Sequence, residues 1–330
     1  MREPATGVKA IETTATRTEA TLGDYIDLVR PQQWVKNVVV FAGPAAGLKL
    51  ASAEAFPAVT LTFIAFCLAA SAGYAINDVV DRTADRRHPR KSSRPVAAGR
   101  IGVSSAILMA VILAGASGVA AIFLSSGVKI VLAVYLALTV VYSLTLKRRV
   151  ILDVLVIAMG FVLRAMAGSF AVDVPTSKWL IACVFTLCLF MGFGKRRCEI
   201  VMIGDADDAE KHRKTLVRYT PDLLNHLLTV SAGIAVITFL LYTLDTTGHP
   251  APFHKEQLFY TLPLVIYGLF RFAMLTESGV YTGPTEIVLK DRAMLATIVL
   301  WALIALVIAY QSHLLPAGGL GRIFGGTAGA

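Results

Sequence analysis

The sequence predicts an all-α integral membrane protein, a bundle of nine transmembrane helices around a central cavity open to the cytoplasmic side. Three observations lead there. Hydrophobic side chains make up 56% of the 330 residues and charged ones only 16%, too apolar a mixture for a soluble domain of this size. The apolar residues gather in blocks close to the ~20 that a helix needs to cross a ~30 Å hydrocarbon core. The basic residues cluster on alternate connections, as the positive-inside rule expects of cytoplasmic loops.

In chain order the blocks are 33–50, 57–76, 102–124, 128–146, 151–172, 178–194, 223–244, 258–275 and 293–311. The first is interrupted by Trp34, Lys36 and Asn37, and the second runs directly into an acidic stretch. The fifth carries Arg164 deep inside it, and the sixth carries Phe185, Phe190 and Phe193, which read as packing or lipid-facing residues. Gly160 and Gly168 read as sites of close helix packing. Before the blocks, 1–22 has no apolar stretch of the kind that opens a signal peptide and reads as a disordered cytoplasmic tail. Residues 23–311 form the membrane domain, and the Gly- and Ala-rich 312–330 a flexible tail.

Lys and Arg crowd the N-terminal region through Lys36 and the connections 77–101, 147–149, 195–218 and 271–292, whereas Lys49, Lys129, Lys178, Lys255 and Arg322 stand singly on the other side. This asymmetry places the N-terminus in the cytoplasm and the C-terminus outside, in a multi-pass protein of the bacterial inner (plasma) membrane. It also accounts for the net charge of +9 as topology, so no nucleic acid is expected as a partner. Cys67, Cys183, Cys188 and Cys198 give no case for disulfides or zinc.

The strongest chemical signal is Asn77-Asp78-Val79-Val80-Asp81-Arg82-Thr83-Ala84-Asp85. Carboxylates at i, i+3 and i+7 share one face of a helix continuing from the second span. Like charges so close repel unless a cation sits among them, and Mg²⁺ accepts a few carboxylates while keeping positions for water and phosphate oxygen. The bland alternative is a solvated helix end whose acids pair with Arg82, Arg86 and Arg87. A dense cationic arc follows, Arg86, Arg87, His88, Arg90, Lys91 and Arg94, and acids beside cations make a diphosphate site. Asp78, Asp81 and Asp85 are therefore the candidate metal ligands and catalytic residues, with Asn77, Arg87, Lys91 and Arg94 as substrate contacts.

Further candidates come from polar residues in apolar surroundings. Arg164 within a span implies a protein-lined cavity. Asp153, eleven residues earlier, lies on the same helix face, so Arg164 reads as steering an anionic head group with Asp153 near the mouth. A structural pair to a neighbouring helix is the competing reading. Tyr142 and Lys147 can reach phosphate, although both also suit an interface. Lys36 sits in an otherwise apolar segment. After the sixth span a second polar loop opens with Gly194-Lys195-Arg196-Arg197-Cys198-Glu199.

The pattern Asn77-Asp78-x-x-Asp81-x-x-x-Asp85 at the end of the second span, followed by Arg94-Pro95 and Gly99 and preceded by Arg30-Pro31-x-x-Trp34-x-Lys36-Asn37, resembles the first aspartate motif of the UbiA superfamily of intramembrane prenyltransferases. The resemblance covers about residues 24 to 311. Most members have a second aspartate motif after the sixth span; here cations stand in its place, and Asp205, Asp207 and Asp208 cluster further on. With Tyr219 and the stretch Pro284-x-Glu286-x-x-x-Lys290-Asp291-Arg292, the sequence is similar to the branch called decaprenyl-phosphate phosphoribosyltransferase. That resemblance implies Mg²⁺ as cofactor, 5-phosphoribosyl 1-diphosphate as donor and a polyprenyl phosphate as acceptor, in making lipid-linked arabinose donors for cell-wall polysaccharide. It also implies substrate-binding roles for Lys195, Arg196, Glu199 and Tyr219, with the cations holding extra phosphate directly. A prenyl diphosphate donor and an aromatic or other apolar acceptor is the alternative. The lipid bilayer is the remaining partner, with a homo-oligomer an open option.

Overall fold

The computed structural model describes residues 20–88, 91–203, 219–245 and 255–314, and every regular element among them is helical. Most of the expected tails 1–22 and 312–330 lies outside the described residues, as do Arg90, Asp205, Asp207 and Asp208. The chain opens with α1 (Leu22–Val29), capped by Thr21 and Asp24 in reciprocal hydrogen bonds, and a 3-10 segment Pro31–Phe41 that leads into the short α2 (Ala42–Ala46). Then come α3 (Ala55–Arg87), α4 (Val103–Ile122), α5 (Ser126–Leu144), α6 (Leu152–Ala171), α7 (Lys178–Ile203) and α8 (Pro221–Leu244). A 3-10 turn Lys255–Thr261 runs into α9 (Leu262–Glu277), and α10 (Pro284–Lys290) precedes α11 (Arg292–Leu314).

Eight helical stretches among the described residues are long and apolar enough to cross a membrane, and they coincide with the second to ninth expected blocks. Their outward faces carry large apolar residues such as Leu108, Val111, Phe123, Ile130 and Phe270, each more than half exposed, as befits side chains solvated by lipid. The chain is a multi-pass membrane protein.

The first expected block differs. Residues 33–50 form the 3-10 segment and α2 rather than one long α-helix. Consecutive β-branched Val38, Val39 and Val40 crowd an α-helical turn, and the Gly43-Pro44 pair disfavours a continuous helix. The segment nevertheless runs the height of the bundle. At one end Arg30 meets Asp78 at the end of α3; midway Asn37 donates to Cys67 Sγ at 3.2 Å; at the other end Gly43 lies against Ser169. Gly168 is needed there, because a Cβ on it would stand 1.7 Å from the Val40 carbonyl oxygen. Gly160 has no such constraint, since a Cβ would meet nothing closer than 3.5 Å.

The interior has two main apolar centres. One lies among α3, α5 and α6 and contains Phe66, Tyr135 and Leu163; the other joins α6 to α7–α11 through Val154, Phe190, Leu224, Phe272 and Ile287. A crevice of about 210 Å³ between α3, α4 and α5, lined by Ala72, Gly73, Ala114 and Ala137, includes none of the α3 acids. The polar residues that matter sit between the two centres and at the end of the bundle where α3 stops.

Candidate active site

Nothing breaks the helix between Ala55 and Arg87, so α3 carries Asn77, Asp78, Asp81 and Asp85 on its last turns, as the spacing predicts. Its acids are held one by one. Arg30 Nη2 donates to both Asp78 oxygens at 2.5 and 2.7 Å, and Arg94 Nη1 bridges Asp78 at 3.2 Å and Asp85 at 2.6 Å. Asp81, about 60° further round the helix from Asp78, belongs to a separate group. There Lys147 Nζ donates to Asp81 at 2.5 Å and to Asn77 Oδ1 at 3.0 Å, while Asn77 Nδ2 donates to Asp81 at 3.0 Å. Asp78 and Asp85 are buried, as is Lys147.

These partners are not the ones the bland alternative named. Arg86 donates instead to the Ala97 carbonyl at 3.0 Å, tying the turn after α3 to the helix end. Arg87 is exposed, and Lys91 is half-buried with its charge acting on Asp85.

Arg30 is the residue sequence reasoning left in a motif without a role. It has φ 56° and ψ 60° immediately before Pro31, a conformation that both its side chain and the proline disfavour. A clasp holds it there. Ser71 Oγ donates to the Val29 carbonyl at 2.8 Å and accepts from the Trp34 indole N–H at 3.0 Å. The guanidinium thereby reaches Asp78 while lying 5.3 Å from the centre of the Tyr74 ring. An Arg-Pro pair that ends an amphipathic helix was the available signal.

Lower in the bundle, Arg164 and Asp153, expected on one face of α6, engage separate partners. Arg164 Nε donates to Asn37 Oδ1 at 2.6 Å and Nη2 to Tyr135 Oη at 2.7 Å, and the guanidinium lies 4.7 Å from the Tyr135 ring centre and 4.9 Å from that of Phe161. The charges acting on half-buried Lys36 are Arg164 and Arg30, both cations. Tyr135 and Tyr74 went unnoticed in sequence because Tyr is common in membrane helices.

The stretch 194–199 is corrected most. It is not a loop. Lys195, Arg196 and Arg197 lie on α7, which continues to Ile203 because Lys, Arg and Glu favour helix and Glu199 pairs back to Arg196 at 2.5 Å and Lys195 at 3.9 Å. Successive residues on a helix point about 100° apart, so the three cations do not face one phosphate. Arg196 is 1% exposed and pairs with the fully buried Asp153, Nε to Oδ2 at 2.9 Å. Arg197 reaches Glu277 at 2.5 Å and Asn225 at 3.1 Å. Lys195 is 44% exposed. Tyr219 Oη donates to Asp153 Oδ1 at 2.8 Å and accepts from the Ile151 N–H at 2.7 Å. That second bond holds Ile151 at φ 69°, a strained value for a β-branched residue, and so aims Asp153 inward. Burial and the Asp153 bond push the Tyr219 hydroxyl well above its usual range. Tyr142, half-buried on α5, lies within electrostatic reach of Arg196.

The donor set on α3 suits a hard cation, being carboxylate and amide oxygens. Among the described residues no three of His, Cys, Asp and Glu converge on one point, so a Mg²⁺ here would complete its shell with water or substrate oxygens.

Comparison with known proteins bears on this arrangement. The chain is 35% identical to a decaprenyl-phosphate phosphoribosyltransferase of Mycolicibacterium smegmatis over 84% of its length and 89% of that protein's. It is 34% identical to proteins of the same name from Mycobacterium tuberculosis, covering 84% and 91%, and Corynebacterium glutamicum, covering 86% of each. The fold is that of a UbiA homologue from Archaeoglobus fulgidus bound to DMAPP and Mg²⁺, with a TM-score of 0.68 over 87% of this chain and 98% of that one at 18% identity. Residues 38–278 match the UbiA prenyltransferase family, and the chain belongs to that family.

Proposed function

We propose that the chain transfers a 5-phosphoribosyl group from 5-phosphoribosyl 1-diphosphate to a polyprenyl phosphate and releases diphosphate. The observation that carries this reading is the set of acids held one by one on α3, with Arg30, Arg94 and Lys147 already at bonding distance, in a chain 35% identical to a decaprenyl-phosphate phosphoribosyltransferase. Asp78 and Asp81 would hold Mg²⁺, and Asp85 holds Arg94 in place. When bound, the metal neutralises charge on the departing diphosphate. Arg30, Arg94 and Lys147 turn from carboxylate to phosphate oxygens as the donor arrives. A nonbridging oxygen of the lipid phosphate then attacks ribose C1 as the bond from C1 to the diphosphate oxygen breaks, with inversion and oxocarbenium character. The acceptor is already an anion, so no side chain acts as base. Arg196, Asp153, Glu199 and Tyr219 hold α6, α7 and the start of α8 in register rather than binding phosphate.

The topology proposed with this function places the acid end and the N-terminus in the cytoplasm and the C-terminus outside, in the inner membrane. The segment 31–46 is the ninth crossing. At about 2 Å per 3-10 residue and 1.5 Å per α residue it covers ~30 Å, the thickness of the hydrocarbon core. The central cavity opens at the acid end.

The purified chain, given Mg²⁺, 5-phosphoribosyl 1-diphosphate and decaprenyl phosphate, releases diphosphate and forms lipid-linked phosphoribose. Asp78→Asn and Asp81→Asn abolish turnover in protein that still folds by its size-exclusion profile, Asp78→Asn melting lower because Arg30 and Arg94 lose a buried carboxylate. Absence of product with any polyprenyl phosphate refutes the assignment. Binding of geranyl diphosphate with Mg²⁺, and none of the phosphoribosyl donor, favours prenyl transfer instead, the activity for which the family is named.

A further inference from the structure

Four cations are buried among the described residues: Lys147, Arg164, Arg196 and Lys255. Three have a carboxylate. Lys147 has Asp81, Arg196 has Asp153 and Glu199, and Lys255 has Asp245 at 3.6 Å. Arg164 has none; neutral groups orient it, the Asn37 amide oxygen and the Tyr135 hydroxyl, with the Tyr135 and Phe161 rings beside it. These take two of its five N–H donors. Lys36 beside it likewise has no carboxylate among the described residues, and Arg30 adds a third positive charge.

Two uncompensated cations within electrostatic reach of each other inside a membrane protein are costly. Charge that is oriented by neutral groups and left unneutralised is charge kept for a ligand. This pair of cations is offset along α3 from the acids. Asn37 contacts Cys67, which lies eleven residues before Asp78 on α3, about 16 Å along the helix axis. Arg30 stands between the two places, bonded to Asp78 and acting on Lys36.

We infer that Lys36 and Arg164, held by Asn37 and Tyr135, form a second anion seat for a phosphate monoester, separate from the diphosphate seat on α3. The inference rests on the phosphoribosyl-transfer reading, which supplies two such groups: the 5-phosphate of the donor and the head group of the lipid acceptor. Both are terminal phosphates near −2 in charge, which two cations neutralise and a fork of arginine N–H groups matches.

The test uses the full-length protein in nanodiscs, titrated calorimetrically with three probes: ribose 5-phosphate, farnesyl phosphate, and inorganic diphosphate with Mg²⁺. Lys36→Gln, which breaks no hydrogen bond, and Arg164→Gln each weaken a monoester at least tenfold and leave Mg²⁺-diphosphate affinity within twofold; Asp78→Asn does the reverse. Lys36→Arg, retaining charge, restores most of the loss. Weakening of ribose 5-phosphate assigns the seat to the donor, and weakening of farnesyl phosphate assigns it to the lipid. Unchanged affinity for both monoesters in variants that melt like the parent overturns the inference, as does an equal loss of Mg²⁺-diphosphate binding. If the unsubstituted protein makes lipid-linked phosphoribose while Lys36→Gln changes nothing, only this inference falls. If it binds neither monoester and makes no lipid-linked phosphoribose, the functional reading falls with it.

Discussion

Replacing Arg196 by alanine decides whether that residue serves the fold or the substrate. Asp153 is fully buried and Arg196 is 1% exposed, with Nε and Oδ2 2.9 Å apart. Removing the guanidinium takes the Arg196 cation away from the buried Asp153 carboxylate, whose Oδ1 keeps the Tyr219 hydroxyl at 2.8 Å. A buried pair broken in this way costs about 3–5 kcal/mol. Loss of the Glu199 bond at 2.5 Å adds less, since that carboxylate is partly exposed and Lys195 lies 3.9 Å away. The double variant Asp153→Leu, Arg196→Met removes both charges together, and a buried pair replaced by apolar groups is often neutral. It therefore recovers most of the stability, and the cycle gives a coupling of several kcal/mol. Unfolding is followed in detergent by intrinsic fluorescence against denaturant, alongside the donor KM. An Arg196→Ala protein as stable as its parent, with a donor KM raised tenfold or more, refutes the structural role and makes Arg196 a phosphate ligand.

Gly168→Ala places a Cβ 1.7 Å from the Val40 carbonyl oxygen, so folded yield collapses, whereas Gly160→Ala, with nothing nearer than 3.5 Å, melts within a degree or two of the parent; size-exclusion profiles and melting curves separate them. Arg30→Ala leaves Asp78 with Arg94 alone at 3.2 Å, removing a charge-assisted bond worth about 1.5–3 kcal/mol, and turnover falls by roughly one to two orders of magnitude in a steady-state assay. Lys290 and the Thr282 N–H and hydroxyl hold the Glu286 carboxyl down at about 2 from an ordinary 4.5. Its contribution is therefore full above pH 4.5 and lost as pH falls toward 2, so proteolytic protection of 278–291 stays level from pH 7 to 4.5 and drops below it, and Glu286→Gln removes that step.

The acidic helix end was legible because carboxylate spacing at i, i+3 and i+7 is a local property, and α3 carries Asn77 to Asp85 as that spacing requires. The eight apolar crossings were legible for the same reason. What sequence spacing could not reveal is which cation faces which acid. Arg30 and Lys147 lie 48 and 66 residues from the carboxylates they hold, and only packing brings them in, while the nearer Arg86 turns to a backbone carbonyl. The cations at 195–197 misled because a run of charge reads as a solvated loop. On a helix the same run splits among three directions, and its middle member points into the core.

The pairing on α3 also constrains how the site fills. Asp78, Asp81 and Asp85 face Arg30, Lys147 and Arg94, so each of these carboxylates already has a cation. A divalent cation alone meets carboxylates already neutralised, and a diphosphate alone meets cations already engaged. On the proposed function, a metal and a diphosphate arriving together would exchange partners with both halves of every pair, carboxylates taking the metal and guanidinium and ammonium the phosphate, which would keep the local charge balance. That balance favours cooperative uptake of metal and diphosphate over stepwise loading. It also gives the strained Arg30 a reason to be where it is, since the residue that holds Asp78 also acts on Lys36.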